Sequence, residues 1–167
     1  MASRLFFDPM VALRVAPLVS STCTLLYARD QHFFLGLFNR TAENRMKSAP
    51  MLKSYFGDFF RRGVGFVLGV IAISVTTATA NLYIQPEALR RTGASWWYAL
   101  GAAMSAGHLA YVPFVAPRVK ALMEAEGEED VNGILDSWLG VNWWRTVTVD
   151  FGAWLAFGVA VATSLHI

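Results

Sequence analysis

Charge is scarce in this sequence. Only 16% of its 167 residues are Asp, Glu, Lys or Arg, where a soluble domain carries about 25%. The net charge of +2 is too small to argue for a nucleic-acid partner. There is one cysteine, Cys23, which excludes an intrachain disulfide and any multi-cysteine metal site. It lies in an apolar run and reads as a small packing residue. The three histidines, His32, His108 and His166, are far apart and make a poor metal set. P-loop, G-x-S-x-G, zinc-ligand and dinucleotide patterns are all missing. No internal repeat or low-complexity segment stands out. These absences point away from a soluble enzyme with a tightly bound cofactor, and no metal is expected.

Apolar residues are abundant at 55%, above the roughly 45–50% of a soluble domain. They gather into runs near the about 20 residues a membrane helix needs. Residues 63–83, GVGFVLGVIAISVTTATANLY, carry no charge. Gly63, Gly65, Gly69 and the following Ser/Thr/Ala stretch give a small-residue surface of the kind that packs membrane helices closely. Residues 96–115 and 143–165 form two more spans. Tyr83, Trp96, Trp97, Tyr98, Trp143 and Trp144 rim them, as rings do at headgroup level. The first span is interrupted. Residues 10–27 are apolar apart from Arg14 and a Ser/Thr patch. Ala28-Arg29-Asp30-Gln31 then breaks the run before HFFLGLF resumes. One helix over 10–38, with its polar segment facing inward, is preferred to a shorter span followed by an interfacial helix. The late start after Asp8, and Arg14 within the run, argue against a secretory signal peptide. The expectation is an all-α, integral membrane four-helix bundle. It would be a single domain with spans of about 10–38, 63–83, 96–115 and 143–165.

Arg29, Arg40, Arg45, Lys47, Lys53, Arg61 and Arg62 lie between spans one and two. Arg118 and Lys120 lie between spans three and four. The opposite side has Arg4, Arg90 and Arg91. The positive-inside rule then puts loops one and three in the cytosol and both termini in the lumen. Asn39-Arg40-Thr41 is a glycosylation pattern that this topology keeps from the lumen. Pro117 is a usual place for span three to stop. The acidic run Glu124, Glu126, Glu128, Glu129 and Asp130 reads as a solvated face and turn.

Ionisable residues inside spans are costly, which makes them candidates for function. His108 and Tyr111 are three apart on span three and share a face. Arg145 and Asp150 lie on span four. His108 is seven residues from Val115, and Asp150 is seven from Trp143. Both therefore sit roughly 10 Å inside the cytosolic boundary. With span one running to Phe38, His32 reaches a similar depth and Asp30 a slightly greater one. Structural roles stand beside the functional ones. Arg145 can snorkel, Asp150 can serve as one half of a structural pair, and His108 can be a packing residue. Asn142 and the Trp138, Trp143 and Trp144 rings can be interfacial anchors, and His166 reads as inert.

The second half carries a family resemblance. It includes Tyr98-Ala-Leu-Gly101, Pro113-Phe-Val-Ala-Pro117 and the acidic linker. Asp136-Ser-Trp-Leu-Gly-Val-Asn-Trp-Trp-Arg145 follows, then Asp150. The pattern Trp138-Leu139, Asn142, Arg145, Asp150 is the most specific part. The chain resembles the anthrone oxygenase-like family of small four-helix membrane proteins of fungal biosynthetic clusters, with span one matching loosely. The resemblance implies a monooxygenase of secondary metabolism that oxidises an anthrone-like polyketide without metal or flavin, with O2 as co-substrate. It implies His108 as base, Asp150 as its orienting partner, and Arg145 and Tyr111 as oxyanion stabilisers. His32, Trp138, Asn142, Trp143 and Trp144 would contact the substrate. The expected partners are the bilayer and a lipophilic small molecule, with a second copy of the chain left open. The expected location is the endoplasmic reticulum. A cyclase or isomerase using the same acid/base layer, and a non-enzymatic membrane scaffold, remain alternatives.

Overall fold

A computed structural model describes residues 8–126 and 129–165. Arg4, Glu128 and His166 lie outside the described residues. The chain forms four long helical segments, each long and apolar enough to cross a membrane: Pro9–Asn39, Ala42–Ile84, Ala94–Glu124 and Val131–Leu165. The protein is thus an all-α integral membrane protein. Within these segments α1 is Pro9–Gly36, α2 is Ala42–Ile84 and α3, a short connecting helix, is Pro86–Arg91. The third segment is α4 (Ala94–Gly107), a 3₁₀ turn (His108–Tyr111) and α5 (Val112–Glu124). The fourth is α6 (Val131–Arg145), a π-helical turn (Thr146–Asp150) and α7 (Phe151–Leu165).

Capping residues set the starts. Asp8 accepts from the Met10 amide at 2.8 Å, just before Pro9 opens α1. Thr41 accepts from Asn44 N at 3.1 Å, and Asp130 from Gly133 N at 2.9 Å. Each side chain satisfies an amide that the first helical turn leaves unpaired. The short connections make successive segments antiparallel. α1 packs on α2, α2 on α4, α4 on α7 and α7 on α1, which closes the ring. At the other end α5 packs on α6 and α2, and α6 on α1.

The helices overrun the apolar runs. α2 has 43 residues, about 64 Å at 1.5 Å per residue, against about 30 Å of hydrocarbon. Its first half holds Arg45, Lys47, Lys53, Arg61 and Arg62, so the expected first loop is helix apart from its link near Arg40. Leu52 and Phe56 on that half are buried with Leu35, Val119, Leu122, Leu135, Trp138 and Leu139. The charged residues occupy the remaining surface of an amphipathic helix. Pro117 does not stop the third segment, because it lies inside α5. A proline inside a helix costs about 3 kcal/mol. Burying Val119 and Leu122 beyond it returns about 1.5–3 kcal/mol each, which is enough to carry the helix to Glu124.

A second core at the opposite end joins Ala78, Leu89, Ala94, Tyr98, Ala153, Phe157 and Ala160. Tyr98, expected at the rim, is fully buried and donates to the Arg14 carbonyl at 2.9 Å. Arg14 itself reaches the Ser164 carbonyl at 2.7 Å and Gln85 Oε1 at 2.8 Å, tying three helix ends together. Trp96, Tyr83, Trp143 and Trp144 are exposed, as interfacial rings require. Of the three glycines expected to pack, only Gly63 meets a neighbour, the Tyr27 ring; Gly65 and Gly69 face open space. A tight approach against a fully buried ring is at Gly101, where a Cβ would lie within 3.0 Å of three Phe157 ring carbons. Gly101→Ala should therefore cost about 1–3 kcal/mol through overpacking, read as a lower melting temperature in detergent.

Candidate functional site

Two helical irregularities face each other between the cores. Pro113 has no N–H for the Leu109 carbonyl, and its ring crowds that oxygen. The turn before it tightens to 3₁₀, where residues three apart eclipse. That aligns His108 with Tyr111. On the opposing helix, Thr146 and Thr148 hydroxyls bond back to the Asn142 and Trp144 carbonyls at 2.7 and 2.6 Å. Such bonds compete with the helical ladder, and the chain opens into a π turn. Because this turn closes from i to i+5, Arg145 and Asp150 meet although an α-helix would separate them.

Asp150 is the hub. Its Oδ1 is 2.8 Å from His108 Nδ1, and its Oδ2 accepts from Arg145 Nε at 3.2 Å. All three side chains are buried. Carboxylate and guanidinium balance in charge, so the set is neutral when the imidazole is neutral. An ionised carboxylate only accepts, which makes Nδ1 the protonated ring nitrogen and leaves Nε2 as a base. The Tyr111 hydroxyl pairs with Thr148 Oγ1 at 2.8 Å.

His108, Tyr111 and Arg145 line a cavity of about 100 Å³ together with Gln31, Trp138, Phe59, Phe60, Gly63 and aliphatic side chains of α2 and α5. Val64, Leu68, Leu109 and Val112 at its wall are also exposed on the bundle surface. A lipophilic molecule would meet no polar barrier there. A second, water-sized space of about 10 Å³ lies behind Asp150, among Ser21, Thr24, Ser105, Ile71 and Ala153.

The structure brings His108, Tyr111, Arg145, Asp150 and Trp138 together. It does not bring the other four. His32 is on an exposed face of α1, its ring 5.4 Å from that of Trp143, and the two line a separate surface groove. Asp30 is exposed and lies 3.9 Å from Arg29. Trp144 is 64% exposed. Asn142 is buried beside α1, its Nδ2 3.5 Å from the Ala28 carbonyl, but it does not line the cavity. One residue of helical turn explains the miss on α1. Ala28, Gln31 and Leu35 make the buried stripe, so Gln31 faces the cavity and His32 turns outward. The Ala28/Leu35 spacing was the available signal. Phe59 and Phe60 were missed because they precede the uncharged run.

Along nearly its whole length the chain is similar to fungal proteins. It is 27% identical over 157 residues to Epoxidase pydX of Acremonium sp, covering 94% of this chain and 96% of that one. It is 29% identical over 161 residues to Probable epoxidase scpX of Mollisia scopiformis, covering 92% and 96%. It is 29% identical over 152 residues to Oxaleimides biosynthesis cluster protein N of Penicillium oxalicum, covering 86% and 84%. No family model and no solved structure matches the chain. Two of these names speak of epoxidation, where the resemblance in the sequence implied anthrone oxidation.

Proposed function

We propose that this protein is a membrane-embedded, oxygen-transferring enzyme that acts on a lipophilic intermediate of secondary metabolism. The observation that carries the reading is the His108–Asp150–Arg145 set on the wall of an apolar cavity open toward lipid. The names of the fungal relatives support oxygen transfer.

The chemistry needs no electron source beyond the substrate. His108 Nε2 removes a proton from an acidified C–H, and Asp150 holds the imidazolium that forms. The carbanion passes one electron to O2, and the two radicals combine into a C–O–O⁻ bond. The imidazolium returns its proton, giving a hydroperoxide. Loss of water from the same carbon would give the ketone of an anthrone-type oxidation. Transfer of the distal oxygen to an alkene would give an epoxide and leave an alcohol. Either route consumes one O2 and balances. Arg145, whose terminal nitrogens have no hydrogen-bond partner among the described residues, stabilises the developing anion, while the Tyr111 hydroxyl donates its one proton to Thr148 Oγ1, which itself donates to the Trp144 carbonyl. In a cavity lined mainly by apolar side chains, such contacts are strong. Proton transfer creates imidazolium and enolate together, so the net charge of the site does not change. The enzyme would reside in the endoplasmic reticulum with both termini lumenal. Asn39 Nδ2 is already engaged by Asn132 O and Asp136, each at 2.7 Å, so labelled cysteines placed in the links would read topology more cleanly than glycosylation.

Incubation of the membrane-embedded protein with candidate lipophilic substrates under ¹⁸O2 tests the function. Heavy oxygen should enter the product in an oxygen-dependent manner. Product that forms equally well under strict anaerobiosis would mean a cyclase or isomerase instead.

A further inference from the structure

Two residues on the cavity wall, Gln31 and Trp138, each carry a buried polar atom, Oε1 and Nε1, with no partner among the described residues. Both residues are more than nine-tenths buried, at 8% and 2% exposed. A buried donor or acceptor left unpaired is costly, and native interiors avoid it. Here two such atoms of complementary character, one acceptor and one donor, belong to residues that line the same space. Neither takes part in the proton chemistry. Their level in the bundle also matters. Trp138 precedes Arg145 by seven residues on α6, about 10 Å along the axis toward the cytosolic end. Gln31 is on α1, one turn from Ala28, whose carbonyl faces Asn142. Gln31 and Trp138 thus lie on the same side of the Arg145 level along the bundle axis.

We propose that Gln31 and Trp138 form a clamp for the polar end of the substrate. The Trp138 indole N–H donates to a carbonyl-type oxygen, and Gln31 Oε1 accepts from an adjacent N–H or O–H. The substrate class is an amphiphile whose head carries a donor beside an acceptor, such as a carboxamide or a hydroxy-carbonyl. Its apolar part runs inward, past Phe59 and Phe60, to place the reacting carbon at His108. This rests on the oxygen-transfer reading only for the identity of the site, because the clamp is a statement about binding.

Binding in lipid nanodiscs without oxygen therefore tests it apart from turnover. The probes are a long-chain primary fatty amide, the matching methyl ester and the matching hydrocarbon. The wild-type protein should bind the amide about tenfold more tightly than the ester, the value of one well-made hydrogen bond. Trp138→Phe keeps the ring and removes the donor; Gln31→Leu removes the acceptor. Each should weaken the amide about tenfold and leave the hydrocarbon unchanged. Equal affinity of the wild-type protein for all three probes would overturn the clamp, with the atoms then satisfied by water alone. So would variants that bind the amide like the wild type. Loss of oxygen-dependent turnover in the wild-type protein would instead count against the function and leave the binding result standing.

Discussion

His108→Asn should lower oxygen-dependent product formation at least about a hundredfold, the lower end of what a positioned general base contributes, while the protein still inserts and folds. The substitution is chosen for what it keeps. An asparagine amide reaches the place of Nδ1 and can still donate to Asp150 Oδ1, now 2.8 Å from the ring. The buried carboxylate therefore stays satisfied, and stability should change little. What disappears is Nε2, which has no partner among the described residues and belongs to a residue that lines the cavity. A melting curve in detergent and product yield per folded protein separate the two effects. A variant that folds and works at the wild-type rate would remove His108 from the chemistry and, with it, the base the mechanism requires.

The amino-acid sequence carries some of this directly. Uncharged runs such as residues 63–83 have no other home than lipid, so the four spans are legible. The spacing of His108 with Tyr111 places them on one face, and the cost of Asp150 in a span requires a partner nearby. The rest depends on register and on water. The first half of α2 looks like a charged loop because its Arg and Lys residues outnumber its inward Leu52 and Phe56. Only packing against Val119, Leu122 and Trp138 shows it to be helix. Gln31 and His32 differ by about 100° around α1, and hydrophobicity alone favours neither. The π turn left only a faint trace, the β-branched Thr146-Val-Thr-Val149 run, which is weak helix former and supplies hydroxyls that draw carbonyls away from the ladder.

The second large effect concerns Asp150, where stability and catalysis can be pulled apart. Asp150→Asn keeps shape but removes the charge that faces the Arg145 guanidinium at 3.2 Å. A buried cation left uncompensated costs about 3–5 kcal/mol, a large share of the about 5–15 kcal/mol that keeps a domain folded. The expected result is a sharply lower melting temperature together with lost turnover. Adding Arg145→Met removes the stranded charge and fills its space with an apolar chain, which is often neutral or stabilising in place of a buried pair. The double variant should recover most of the lost stability and still make no product, because His108 then has neither its carboxylate nor a cation beside the developing anion. Turnover that returned with the stability would make Asp150 and Arg145 a structural pair and leave His108 to act without them. A double variant as unstable as the single one would place the stabilising role of Asp150 in its bond to His108.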